Sequence, residues 1–203
     1  MLHSNPLRPY VPAPLVPKGS LGRSRASAAL ECLFALYRKD VSQTMQFFKC
    51  ACYLAGLGIL SFVLGRLVPK AWFDYTRFPY RAFAFERDGR LYESLGIAHW
   101  QSRVPDMSRL FPKLMPPKKM PARPDENTLL VMIRETCAAE ATHALLMLAG
   151  LGVIALWPGA WGVLLYLVYA IFGNLVFIII QRYNRPRLVR LYERKRMKRS
   201  KEA

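Results

Sequence analysis

The stretch "IRETCAAEATH" places Glu140 three residues before His143. An imidazole oriented by a carboxylate is a general base near neutral pH, suited to taking the proton of an alcohol, which is otherwise a poor nucleophile. On a helix Thr136, Glu140 and His143 fall within roughly 60° of arc, so they share one face. Ionisable groups on an apolar helix are costly and turn toward a partner or a cavity. A hydrogen bond between helices, or a Glu–His pair wetted by lipid headgroups, would use the same residues, and spacing alone leaves both readings open. An E-x-x-H motif also occurs in di-iron bundles, which need two copies and two further glutamates; this chain has one copy.

Two other groups of polar residues stand out. "HWQSRVPD" holds His99, Trp100, Arg103 and Asp106, with His and Asp seven positions apart and not at the His-x4-Asp spacing of many lipid acyltransferases. A Trp beside a basic residue is equally an interfacial anchor. "QRYNRPR" holds Arg182, Asn184, Arg185 and Arg187; its arginines are able to grip phosphate oxygens bidentately or to anchor in lipid headgroups. Pro186 biases Arg185 toward an extended backbone. Asn174, inside an apolar run, requires a hydrogen-bond partner on another helix. The chain has no Gly-x-Ser-x-Gly elbow, phosphate-binding Walker loop, dinucleotide fingerprint or paired-cysteine zinc pattern, so hydrolase, kinase and dehydrogenase readings lose support, and neither a cofactor nor a metal is expected.

These residues need elements to hold them. Hydrophobic residues make up 53% of the 203, yet net charge is +17. The two agree if apolar residues fill membrane spans and basic residues flank them. No helix-turn-helix, zinc-finger or RNA-binding signature accompanies the charge, which argues against nucleic acid and for anionic lipid or a phosphorylated substrate. The expected fold is an all-α integral membrane protein of about three transmembrane helices with an interfacial cytoplasmic loop region. The first span is residues 47–68, with Ala51, Ala55 and Gly58 on one face suited to close helix packing. The second begins near Thr142 and is short unless extended back through "TCAAEA". The third is residues 162–180. Pro158-Gly159, between Trp157 and Trp161, predicts a tight turn that makes the last two spans a hairpin.

Three spans put residues 68–135 and the C-terminus on one side. That loop carries twelve Lys or Arg and the chain from Arg182 carries ten, which places both in the cytoplasm of a multi-pass cell-membrane protein. The loop mixes aromatics with both signs of charge, and Asp88 is placed to cap a short helix carrying Leu91 and Leu95. Residues 1–27, rich in Pro, Ser and Arg, are expected to be disordered, and 28–44 to form a short helix. Residues 1–44 thus read as a disordered extension, or as sequence upstream of a true start at Met45; residues 45–190 are the membrane domain and 191–203 a basic cytoplasmic tail. Cys32, Cys50, Cys52 and Cys137 read as packing residues.

"RETCAAEATH", followed some forty residues later by "IIQRYNRPRL", resembles the glycosyl-4,4′-diaponeurosporenoate acyltransferases, small membrane enzymes of staphyloxanthin-type carotenoid biosynthesis. Elements of "AFAFERDG" and "WQSRVPD" are similar as well, so the resemblance covers roughly residues 65–190. It implies esterification of a sugar hydroxyl on a glycosylated carotenoid or other glycolipid by a fatty acyl donor such as acyl-CoA. On that reading His143 and Glu140 are catalytic. Glu135, Thr136, His99, Trp100, Arg103, Asp106, Arg182, Asn184, Arg185 and Arg187 are the substrate-binding candidates. A homo-oligomer is open, since three spans by themselves enclose little. The competing readings are a non-catalytic membrane scaffold for pathway enzymes and a different lipid-modifying transferase.

Overall fold

The computed structural model describes residues 20–104 and 122–202; Asp106 lies outside them. The chain divides into two units, Met1–Met45 and Gln46–Ala203. The described part of the first unit is helical, from the start of α1 (Ser20–Leu67). Residues 20–27, expected to be disordered, fall within this helix, and the run "RSRASAALECLFALYRK" has few helix breakers and several strong helix formers.

The second unit is built on two long helical rods. Asp125 caps the first of these, α4 (Glu126–Gly150), by accepting a hydrogen bond from the Thr128 amide at 2.8 Å. A short continuation, α5 (Gly152–Leu156), leads into the predicted Trp157–Trp161 turn, where Gly159 sits at φ +111°, a value that favours glycine. The chain returns through α6 (Ala160–Ala170), one π-helical turn (Ile171–Leu175) and α7 (Val176–Glu202). The hairpin is therefore present, and both arms are longer than expected. With α1, Glu126–Leu156 and Ala160–Glu202 give three helices long and apolar enough to cross a membrane. Leu145, Leu148, Leu164, Leu167 and Phe172 are exposed on the hairpin, as a lipid-facing surface requires.

The residues of α1 from Gln46 onward meet the hairpin through Tyr53, whose hydroxyl donates to the Ala149 carbonyl at 2.7 Å. A Cβ on Gly152 would stand 2.5 Å from that hydroxyl, so the tyrosine fits because residue 152 is glycine. Ala51, Ala55 and Gly58 do not make the close packing face; all three are exposed. Gly152→Ala is expected to cost about 1–3 kcal/mol by overpacking, read as a lower melting temperature in detergent. Gly58→Ala, with nothing within 4 Å of the new Cβ, should leave stability unchanged or slightly raised.

Between α1 and α4 the described loop folds back onto the hairpin as short turns, α2 (Arg90–Ser94) and α3 (Ile97–Trp100). Tyr92 and Ile97 bury against Tyr183 of α7, with Trp100, Ile179 and Ile180 around them. A second core joins Leu129 and Ile133 of α4 to Leu188 of α7. Asp88 does not cap α2; it is left-handed at φ +53°, and Gly89 takes the cap position. Pro186 does not end a helix, and Arg185 is not extended: α7 runs through both, because packing against α2 and α3 before the proline and against α4 after it outweighs the lost backbone bond.

Candidate active site

The direction of each rod sets where its polar side chains meet. Helical side chains lean toward the N-terminus of their helix. On α4, which runs toward the hairpin turn, they lean away from it; on α7, which runs away, they lean back. Glu140 lies sixteen residues before Leu156, roughly 24 Å along the helix, and Arg182 twenty-two residues after Ala160, roughly 33 Å. Their side chains converge near the far edge of a hydrocarbon layer about 30 Å thick.

There they form a four-membered buried charge cluster. Glu140, 6% exposed, takes Arg182 Nε at 2.8 Å on Oε1 and Arg185 Nη2 at 2.5 Å on Oε2. Glu86, 3% exposed, receives Arg182 Nη1 at 2.7 Å. Arg182 Nη2 donates to the Pro79 carbonyl, and Arg185 to Thr136 Oγ1 and to the carbonyls of Thr136 and Tyr80. Two carboxylates and two guanidiniums thus balance, and every guanidinium nitrogen of the pair has an acceptor. Phe83 lies under the Arg182 guanidinium, 4.6 Å from it. Removed from water, such charges are tolerable only with this degree of satisfaction.

Glu86 was not among the residues singled out from sequence. The Phe83 amide donates to its Oε2 at 2.8 Å and the Tyr92 hydroxyl to its Oε1 at 2.5 Å. Burial, then the bond to Glu86, pushes the Tyr92 hydroxyl well above its ordinary value, so it stays a donor across the working pH range. Arg87, Asp88 and Gly89 follow at φ +47°, +53° and +93°. Left-handed non-glycine residues in succession are costly and concentrate at functional sites. The signal in the sequence was an acid directly before Arg-Asp-Gly.

One turn further along α4 is His143, thirteen residues from Leu156 and so roughly 20 Å from the hairpin turn, inside the apolar layer. Its partner is not Glu140, whose oxygens the arginines hold; Nδ1 pairs with Asn174 Oδ1 at 3.1 Å. Asn174 is 1% exposed and sits in the π-helical turn, its amide nitrogen donating to the Tyr169 carbonyl at 3.1 Å. The amide nitrogen being spent as a donor, Oδ1 must accept, which fixes the proton on His143 Nδ1 and leaves Nε2 with its lone pair. The ring is stacked on Phe177 at 4.8 Å, 7° from parallel. Asn174 thus has the cross-helix partner expected of it, and Thr136, Glu140 and His143 do share one face, turned to the third span.

The other candidates are more dispersed. Arg187 lies over the Tyr183 ring at 3.8 Å and bonds exposed Glu93 at 3.0 Å. Asn184 and Glu135 are half-buried. Trp100 packs in the Tyr92–Tyr183 core and donates to the Leu95 carbonyl, whereas His99 and Arg103 are exposed on the outside of the loop. Residues 99–103 are therefore not brought to the Glu140 cluster. A cleft of about 360 Å³ opens above it instead, with Glu86, Arg182 and Arg185 as its floor and Tyr75, Tyr80 and Pro186 among its walls. His143 does not line it.

Residues 69–194 match the family model of glycosyl-4,4′-diaponeurosporenoate acyltransferase. The chain belongs to that family. Proteins of this name from Staphylococcus aureus strains N315, MRSA252 and USA300 are each 30% identical to it over 131 residues, 63% of this chain and 76% of theirs. No solved structure matches. The region matched to the glycosyl-4,4′-diaponeurosporenoate acyltransferases includes Glu86, Glu140, His143, Asn174, Arg182 and Arg185, and begins just after α1.

Proposed function

We propose that the chain is a membrane O-acyltransferase that esterifies a sugar hydroxyl of a glycosylated carotenoid, or a related glycolipid, with a fatty acyl group. Family membership supports the reaction class, and the observation that carries the chemistry is the His143–Asn174 bond. It leaves Nε2 unprotonated, one helical turn deeper in the apolar layer than the Glu140 cluster, where a lipid acceptor and an acyl chain can reach it from the side. Nε2 takes the proton of the sugar hydroxyl as its oxygen attacks the carbonyl carbon of the acyl donor, an acyl thioester such as acyl-CoA. The tetrahedral oxyanion collapses, the carbon–sulfur bond breaks, and the imidazolium returns its proton to the leaving thiolate. Neither the enzyme nor the acyl group changes redox state.

Glu140 acts differently from the pairing expected at first. Its role in this reading is to hold Arg182 and Arg185, which fasten the loop carrying Glu86 over the membrane boundary. The arginines are thereby committed to the protein, so phosphate capture falls to other basic residues. The excess of Lys and Arg in the loop and C-terminus supports a cytoplasmic side for both in a cell-membrane protein, with the basic end of α7 suited to anionic lipid.

The test is lipid mass spectrometry on cells making the chain with and without a glycosylated carotenoid. A product heavier by one fatty acyl group minus water is expected. Absence of such a product with acceptor and donor both supplied would favour the scaffold reading.

A further inference from the structure

The C-terminal turns of α7 carry more charge than the helix itself can use. Residues 187–201 hold eight Lys or Arg against one Glu. Arg187 and Arg190 are tied to the loop, through Glu93 at 3.0 Å and the Asp88 carbonyl at 3.2 Å. Beyond them Arg194 and Lys201 make no side-chain hydrogen bond or ion pair among the described residues, and Lys198 meets Glu202 at 3.7 Å. Arg190, Arg194, Lys198 and Lys201 fall within roughly 80° of arc, a stripe of exposed cations with exposed Leu191 and Met197 on its two flanks. Like charges at i, i+4, as at Arg190, Arg194 and Lys198, destabilise a helix, so the stripe does nothing for the fold.

α7 does not lay this stripe on the membrane. Tyr192 packs on the Leu129–Ile133–Leu188 core and Arg199 donates to Glu126 at 3.4 Å, so α7 follows α4 back to its first turn. From Arg182, at the hydrocarbon edge, the two rods project together, with Arg194 roughly 18 Å, Lys198 roughly 24 Å and Lys201 roughly 28 Å along the axis. Headgroups account for about 5–8 Å of that height, and their potential fades over a Debye length of about 8 Å. Even a tilt of about 40° leaves Lys198 and Lys201 roughly 18–22 Å from the edge. Anionic lipid therefore serves the start of the basic segment, and its end is left to another partner. A second copy of the chain is equally basic, and residues 1–19 and 105–121 together hold six Lys or Arg and one Asp, so neither supplies the complement. We infer that the stripe docks an acidic, soluble carrier protein that brings the fatty acyl group as a thioester. Opposite charge steers the encounter and sets its register, and Leu191 and Met197 offer apolar contacts that suit a protein surface rather than a polyphosphate. A docked protein spans the height from the helix end to the headgroups. Its thioester arm then enters at the lipid surface, and the acyl chain passes into the layer that holds His143. When the carbon–sulfur bond breaks, the thiol stays on the carrier. The inference rests on the acyltransferase reading for what the carrier brings, and on the cytoplasmic side proposed for this end.

The test uses the full chain in phosphatidylcholine nanodiscs, with a bacterial acyl carrier protein loaded with palmitate as the probe. Arg194→Gln, Lys198→Gln and Lys201→Gln together remove the stripe; all three sites are exposed, and none belongs to the buried charge cluster or the His143–Asn174 pair. The carrier Kd should rise by about tenfold or more in this variant, with the melting temperature unchanged or raised, and the parent's affinity should fall with added salt. Removing as many charges from α1, by Arg38→Gln, Lys39→Gln and Lys49→Gln at exposed sites, should leave the Kd within about twofold. In an amine-reactive footprint the carrier should protect Lys198 and Lys201, and exchange of phosphatidylcholine for phosphatidylglycerol should not. Protection by phosphatidylglycerol would put the stripe on lipid and overturn the inference. So would no carrier binding to the parent, or equal weakening by the α1 control. Acyl transfer separates this inference from the reading beneath it. Transfer from palmitoyl-CoA without carrier binding would remove the docking site and keep the transferase. Carrier binding that is lost with the stripe, and no transfer from either donor, would keep the docking site and remove the transferase.

Discussion

His143→Ala should lower acyl transfer by roughly 10²–10⁴-fold, the usual contribution of a positioned general base, while the chain still inserts and melts near the parent temperature. The imidazole is half-buried and its main packing partner is Phe177, so its removal costs little structure compared with the loss of Nε2. Asn174→Leu is the more discriminating companion. It leaves the imidazole in place but removes the acceptor that fixes its tautomer, and a fall of about tenfold or more is expected. Asn174→Asp, whose carboxylate accepts from the same Nδ1–H, should retain more activity than the leucine variant. Single-turnover acyl transfer with saturating acceptor reads all three. Undiminished turnover in His143→Ala would take the base away from this residue.

The second large effect is on stability. Arg185→Met would strip Glu140 of one partner and leave Thr136 Oγ1 and the Thr136 and Tyr80 carbonyls without their donors. Breaking one member out of a buried ion network costs about 3–5 kcal/mol. Arg185→Lys should recover little, because a single ammonium cannot reach acceptors spread around a guanidinium fork. The double replacement Glu140→Leu with Arg185→Leu should be less damaging than either change alone, since Arg182 keeps Glu86 and no charge is stranded. Denaturant melts in detergent, with hydrogen exchange over residues 79–92, measure both the loss and where it falls. A cost below about 1 kcal/mol for Arg185→Met would mean that the cluster does not hold the loop.

What the sequence by itself determined is the class and the hairpin. Runs of apolar residues long enough to span, with a Trp-Pro-Gly-Ala-Trp turn between two of them, permit little else once backbone groups must be satisfied inside lipid. The same runs placed Thr136, Glu140 and His143 on one face, because helical periodicity is local. The antiparallel order of the spans brought "ETCAAEATH" to "QRYNRPR", and resemblance in those two stretches pointed to the family.

Partner choice was left to tertiary structure. Glu140 and His143 are spaced to pair, but a carboxylate buried beside two guanidiniums gains far more from them than from an imidazole. Which side chains reach it depends on the opposite lean of side chains on α4 and α7 and on the depth at which the rods cross. Glu86 arrives from 54 positions upstream of Glu140, carried by a left-handed turn that no periodicity marks. Asn174 becomes the partner of His143 in the π-helical turn. Pro186, a helix breaker by local rules, is carried inside α7 because the cores on either side of it bury more than the missing hydrogen bond costs.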